Sequence, residues 1–386
     1  MKKSLIALAV LAASGAAMAQ SSVTLFGVVD ATYAYGTGSI SNKSQLTNSG
    51  YNTSRLGFRG VEDLGGGMSA SFWLEAGINN DDGSGVLTST KNQGAPAAGG
   101  GGLTFNRRST VSLNGGFGEV RLGRDYTPQY WNLTVFDPFG NVGVGTSQTR
   151  NGTSTRAIAP TAPGVTPAGF VTTTTSRNGG PTQLRASNSI GYFLPGNLGG
   201  FYGQAQYYMG ENNSDTFNTT TGAFVANANK KDGNGLALRV GYANGPVNVA
   251  VALSETKYAA GDIQTVNVGG QYDLGVAKIM AHYNQDDIDR TGKGAGYLIG
   301  ALVPMGAGEI RLAYSTYKFD LDVAGADPRT NKLALGYVHN LSKRTALYTT
   351  VARVTNKNGA VQALNGSDTA ASRNSTGYDL GIRHSF

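Results

Sequence analysis

Bulky apolar side chains alternate with polar or small ones in steps of two along most of the chain, interrupted at short intervals by turns rich in glycine, asparagine and aspartate. The pattern is clearest in "PVNVAVALSE", where Val247, Val249, Val251 and Leu253 share a face, and in "RLGFRG", where Leu56 and Phe58 oppose Arg55, Gly57 and Arg59. It runs through Phe386: in "GYDLGIRHSF" Tyr378, Leu380, Ile382, His384 and Phe386 point one way, while Asp379, Gly381, Arg383 and Ser385 point the other. A period of two predicts a strand with one oily face. Sixteen such segments lie near residues 23–35, 50–61, 67–79, 104–114, 117–124, 184–194, 199–210, 235–244, 246–257, 262–272, 275–286, 293–304, 308–319, 329–340, 343–354 and 374–386. Their length suits a tilted membrane strand of ~9–11 residues plus its rims. In "NRRSTVSLNG" Val111 and Leu113 fall in phase with Arg107, so alternation does not place that arginine.

The connections sharpen this reading. Seven are compact turns, "DLGGG", "NGGFG", "PGNLGGF", "NGPV", "DLGVAK", "PMGAGE" and "NLSKRT", and the eight between them are mostly longer. Short and long connections in strict succession describe an up-and-down meander. An even number of strands lets the first close onto the last, which removes the unpaired edge that hydrocarbon does not tolerate. Sixteen strands enclose an aqueous channel rather than a packed core. The competing readings, a soluble β-sandwich or a β-helix, explain neither the regular connections nor the many tyrosines and phenylalanines near strand ends. The expected fold class is therefore all-β, a transmembrane 16-stranded antiparallel β-barrel.

The opening "MKKSLIALAVLAASGAAMAQ" reads as an export signal spanning 1–19, which leaves 20–386 as one barrel domain. No later run reaches the about 18 apolar residues of a spanning helix. Export permits disulfides, yet the chain has no cysteine. The 57 glycines, 35 aromatic residues and near-neutral hydropathy fit a barrel whose strands are half wetted. Removing Lys2 and Lys3 leaves 29 basic against 24 acidic side chains, a balance of +5 too small to mark nucleic-acid binding.

The stretches "VTLFGVVDATYAY", "SRLGFRGVEDLGGGMSASFWLE", "NRRSTVSLNGGFGEVRLGRDY" and "GYDLGIRHSF" resemble the trimeric general porins of Gram-negative outer membranes, of the β-proteobacterial type. The resemblance implies passive diffusion of small hydrophilic solutes and ions through a homotrimer embedded in outer-membrane lipid and lipopolysaccharide. It implies that Phe386, with Tyr378 on the same strand, is read by the barrel-assembly machinery, and that the long third loop folds into the lumen as a constriction. The corresponding loop here, 125–183, is the longest connection. Its "DPFG" is similar to the Pro-Glu-Phe-Gly turn of some relatives with the acid displaced by one position, which points to Asp137. The family's arginine ladder maps onto Arg55, Arg107 and Arg185. Strand phase independently turns Arg55 and Arg185 inward, while Arg107 rests on resemblance.

Fixed positive charges opposite few carboxylates set up a transverse field that concentrates anions in a narrow wet passage. The loop carries two acids, Asp125 and Asp137, against Arg150, Arg156 and Arg177, so anion preference is expected. Two alternatives remain. A substrate-specific channel would use an aromatic slide, for which Tyr126, Tyr130 and Trp131 are few. A barrel hydrolase would need a nucleophile beside a base, and the only histidines are His282, His339 and His384, with no G-x-S-x-G elbow. The segments "GKGAG" and "GGGG" read as turn and loop, and "NNDDG" and "QDDID" as solvated rims rather than metal sites. No cofactor is expected.

Overall fold

The computed structural model describes residues 22–86, 92–93, 102–150, 182–322 and 327–386. The expected export segment 1–19 lies outside them, as do Arg156, Arg177 and most of the stretch 145–181. Sixteen antiparallel strands form the wall: β1 (Ser22–Thr37), β2 (Arg55–Gly65), β3 (Met68–Asn79), β4 (Arg108–Gly115), β5 (Gly118–Tyr126), β6 (Arg185–Phe193), β7 (Phe201–Tyr208) and β8 (Gly235–Asn244) come first. There follow β9 (Val247–Thr256), β10 (Ile263–Asp273), β11 (Lys278–Ile288), β12 (Gly292–Met305), β13 (Gly308–Leu321), β14 (Arg329–Asn340), β15 (Thr345–Lys357) and β16 (Ser375–Ser385). Each pairs with its neighbours in sequence, and β1 pairs with β16 from Val28↔Ser385 to Thr37↔Thr376. Reciprocal backbone bonds of 3.1 Å between Gly27 and Phe386 extend this seam. The sheet is a closed barrel.

The two faces are chemically inverted relative to a soluble protein. On β8, Leu236, Leu238 and Val240 are exposed while Ala237 and Arg239 are buried. On β10 and β11, Asn267 and Asn284 are fully buried beside outward Val266, Val268 and Tyr283. Alternation thus sends apolar groups to the outside and polar groups to the lumen, as the sequence predicts.

The second strand departs from expectation. The segment near 50–61 does not begin the wall there: β2 starts at Arg55, and residues 49–54 leave the sheet. The cause is Asp30 of β1, whose Oδ2 accepts the amides of Tyr51 at 2.9 Å and Asn52 at 2.6 Å and draws them away from strand pairing. Ahead of that break, Lys43–Asn48 pairs with the far half of β1. A further hairpin, Asp215–Asn218 with Ala223–Ala226, stands in the loop between β7 and β8.

Leu380 sits midway along β16 and is 61% exposed on the outer face. A Leu380→Arg barrel is expected to lose about 2–4 kcal/mol of stability, seen as a lower urea midpoint for unfolding from lipid vesicles. An unchanged midpoint would place that face away from hydrocarbon.

Candidate functional site

After β5 the chain turns into the barrel. Thr127 donates its backbone N–H to Leu184 O at 3.2 Å, and Pro128 opens a short helix, α1 (Pro128–Val135), at the position where its missing N–H costs nothing. Polar anchors hold α1 to the wall. Asn132 Nδ2 donates to Asn267 Oδ1 at 2.9 Å and Ala250 O at 3.3 Å, Arg239 Nε donates to Asn132 Oδ1 at 2.7 Å, and Asn267 Nδ2 donates to Gln129 O at 3.0 Å.

Beyond α1 the loop lies against a row of inward-facing glycines. A Cβ at Gly269 of β10 would fall 2.1 Å from Phe136 Cδ2, one at Gly300 of β12 2.6 Å from Pro138 Cγ, and one at Gly377 of β16 2.5 Å from Val144 Cγ2. The missing side chains at these positions leave the space that Phe136, Pro138 and Val144 fill. Hydrogen bonds complete the seat: Val144 N donates to Asp379 Oδ2, Gln148 N to Ser315 Oγ and Lys332 Nζ to Thr146 O, each at 2.8 Å. The described part of the third loop therefore occupies the lumen along β8–β16, opposite the wall formed by β2–β6.

Asp137 does not present its charge to the passage. It is 4% exposed; Oδ1 accepts Phe139 N at 2.8 Å, and Oδ2 accepts Asn141 N and Ser147 N at 3.2 Å. Burial raises its pKa above the ordinary carboxylate value, and the amide bonds oppose that rise. The side chain braces the loop from within. Arg150 ties the loop's two ends by donating to Gln183 Oε1 at 2.7 Å and Asn141 Oδ1 at 3.2 Å. Asp125 is likewise buried, among arginines of the wall. It is 3% exposed and bound to Arg121 at 2.5 Å, with Arg108 at 3.7 Å, beside a β-bulge in the β5–β6 pairing.

The three ladder arginines do meet, and Tyr126 is their hub. Its hydroxyl accepts Arg107 Nη2 at 2.6 Å and Arg185 Nη2 at 3.0 Å, and the Arg185 guanidinium lies 4.4 Å from its ring centroid. Tyr126 stacks on Tyr130 at 5.0 Å and meets Trp131 edge-on at 5.4 Å, which fixes the hub to α1. Glu75 of β3 pairs with Arg107 at 2.5 Å and with Arg55 at 3.8 Å. No ion pair joins Arg185 to a carboxylate among the described residues. Three guanidinium groups thus face one carboxylate, and Arg124 adds a fourth nearby through Ser187 Oγ at 2.7 Å.

Arg107 turns inward because it precedes the first residue of β4, where strand phase does not yet apply; its own N–H donates to Glu75 O at 3.1 Å. Glu75, Arg108, Arg121, Arg124 and Arg239 were not among the expected site residues. For Glu75 and Arg108 the signal existed: Phe72 and Val111 point outward, which sends Glu75 and Arg108 to the lumen by parity.

His282, His339 and His384 stand on three different strands, and among the described residues no cluster of His, Cys, Asp or Glu is built to hold a metal ion. A closed barrel with a polar lumen and an inserted loop is the build of a diffusion channel of the outer membrane. The chain belongs to the Gram-negative porins, whose family profile matches residues 5–359. It is 39% identical to outer membrane porin protein 32 of Delftia acidovorans over the full length of both chains. It is 26% identical to an outer membrane porin protein of Bordetella pertussis over 90% of this chain and 93% of that one. Among solved structures, the anion-selective porin from Comamonas acidovorans superposes with a TM-score of 0.75 at 35% identity, covering 95% of this chain and 100% of that one. The protein is a porin of a Gram-negative outer membrane, not an enzyme.

Gly269→Val would drive a side chain into Phe136 and unseat the loop. The expected result is a larger single-channel conductance with the barrel still formed; an unchanged conductance would mean that the loop does not set the passage.

Proposed function

We propose that this porin prefers anions and that Arg55, Arg107 and Arg185 set the preference. The observation that carries this reading is the cluster around Tyr126, where Arg55 and Arg107 share the single carboxylate of Glu75 and Arg185 is held by the tyrosine with no carboxylate of its own among the described residues. The loop acids do not offset them, since Asp125 and Asp137 are buried and spent on wall and loop partners. Arginine stays charged at any accessible pH, and a low-dielectric wall focuses its field into the lumen. The described relative of Comamonas acidovorans is itself named an anion-selective porin, which supports the assignment. A substrate-specific slide is disfavoured because Tyr126, Tyr130 and Trp131 form one cluster engaged by arginines rather than a track.

In a salt gradient the reversal potential is expected to have the sign of anion preference and to move toward zero in Arg55→Ala and Arg185→Ala. Arg107→Ala is expected also to cost about 3–5 kcal/mol, because it strands the buried Glu75 carboxylate. A cation-selective parent, or variants with unchanged potentials, would overturn the proposal.

The same reading includes a homotrimer of mature chains 20–386 in contact with lipopolysaccharide, made after removal of 1–19, with 125–183 as the constriction loop. It also takes Tyr378 and Phe386 as the signal recognised by the barrel-assembly machinery. Both are exposed on the outer face, Tyr378 on β16 and Phe386 just past its end, which supports that reading. Phe386 also packs over Gly27, where a Cβ would lie 2.3 Å from its Cζ, so it has a structural role to separate from recognition. Phe386→Ala is expected to lower the amount assembled in cells while leaving the rate of spontaneous folding into lipid vesicles unchanged. Equal slowing in both would assign the residue to packing alone.

A further inference from the structure

A second pair of guanidinium groups stands in the lumen at the short-turn end of the wall. The Asp30 carboxylate that pulls residues 49–54 inward also anchors the backbone that carries the ring of Tyr51. Arg311 of β13 approaches this ring with Cζ 4.5 Å from the centroid and donates Nη2 to its hydroxyl at 3.2 Å. Arg383 of β16 approaches with Cζ at 5.2 Å, and Tyr348 packs alongside with ring centroids 5.6 Å apart. One clamped aromatic ring thus gathers two cations from strands that are not neighbours.

Their local partners leave the pair positive. Arg311 is bonded to Glu309 at 2.9 Å. Arg383 Nη1 donates to Arg344 O at 3.3 Å and Ser385 Oγ at 2.8 Å, whereas its Nε is buried with no acceptor among the described residues. Asp30 faces Arg383 across the β1–β16 ladder but spends its oxygens on Tyr51, Asn52, Thr32 and Tyr348, and forms no ion pair with it. A guanidinium bonded only to a carbonyl and a hydroxyl keeps its charge uncompensated, and an oxyanion is the ligand that best matches its remaining donors. Exposed Lys343 and Arg344 add positive charge at the adjoining turn.

The pair stands on other strands than the Tyr126 hub, with Arg383 opposite Asp30, two residues along β1 from the Val28 partner of Arg55. Arg311 lies just past the compact turn between β12 and β13, and Arg383 bonds a carbonyl of the compact turn between β14 and β15. Arg55, Arg107 and Arg185 instead stand where β2, β4 and β6 emerge from long connections.

We propose that Arg311 and Arg383, held on the Tyr51 platform, form a second anion subsite near the short-turn mouth, one that takes a small oxyanion. The proposal rests on the anion-preference reading and extends it to two sites in series. Inorganic phosphate is the probe, in single-channel recordings of the full channel carrying chloride. The chain lacks cysteine, so a lone Val276→Cys on an exposed short turn, labelled from one side, reports the orientation of each inserted pore. Phosphate added on the short-turn side is expected to reduce the chloride current along a saturating curve. Arg383→Gln and Arg311→Gln are each expected to raise the half-saturating concentration about tenfold. Arg383→Lys, which keeps the charge and loses the fork, is expected to fall between, and chloride conductance verifies that each variant forms a pore. A linear response in the parent, or Gln variants that superimpose on it, would overturn the subsite. Reversal potential keeps the two readings apart: anion preference with linear phosphate response sinks only the subsite, and saturation in a cation-preferring pore sinks only the earlier reading.

Discussion

A hydrocarbon layer offers no hydrogen bonds, so every backbone N–H and C=O within it must find its partner in the protein. That constraint closes β1 onto β16 and fixes nearly everything else about the wall. Once the ring is closed, the side of each side chain follows from its parity along the strand. Polar residues such as Asn267, Thr265 and Asn284 can be buried because they line water or the inserted loop, and the large aliphatics can be exposed because lipid covers them.

Within this inverted shell the third loop forms a small core of ordinary polarity. Phe139 and Val144 pack with Leu298, Ala313, Ala334, Ala352, Val354 and Leu364, a cluster that joins loop to wall. The loop is therefore held by shape and by hydrogen bonds, without covalent help, and its fit depends on small residues recurring on alternate strands. The arginines stand on the wall that the loop leaves uncovered. The lumen-facing charges on β2–β6 and the glycines that seat the loop on β10–β16 thus lie in different parts of the sequence.

Much of the barrel was legible because parity and turn chemistry are local signals. All strands but the second fall close to their expected places, and Arg55 and Arg185 face inward as alternation requires. What stayed hidden was set by contacts between residues far apart in the chain. The retreat of residues 49–54 depends on Asp30, and the inward turn of Arg107 depends on Glu75. The burial of Asp137 depends on three amides of its own loop, so a motif likeness placed its carboxylate near the constriction but not its direction. Helix α1 was invisible for a related reason: eight residues carry little periodicity, and its stability comes from Asn267, Ala250 and Arg239 on the facing wall.

The seam also imposes an order in time. It joins Val28 to Ser385, so the ring's circumference stays broken until β16 has been synthesised. Before then the chain carries two open strand edges and a row of lipid-seeking side chains through an aqueous compartment, and this combination aggregates readily. Being kept unfolded in transit is thus a demand made by the topology itself, before any detail of the pore comes into play.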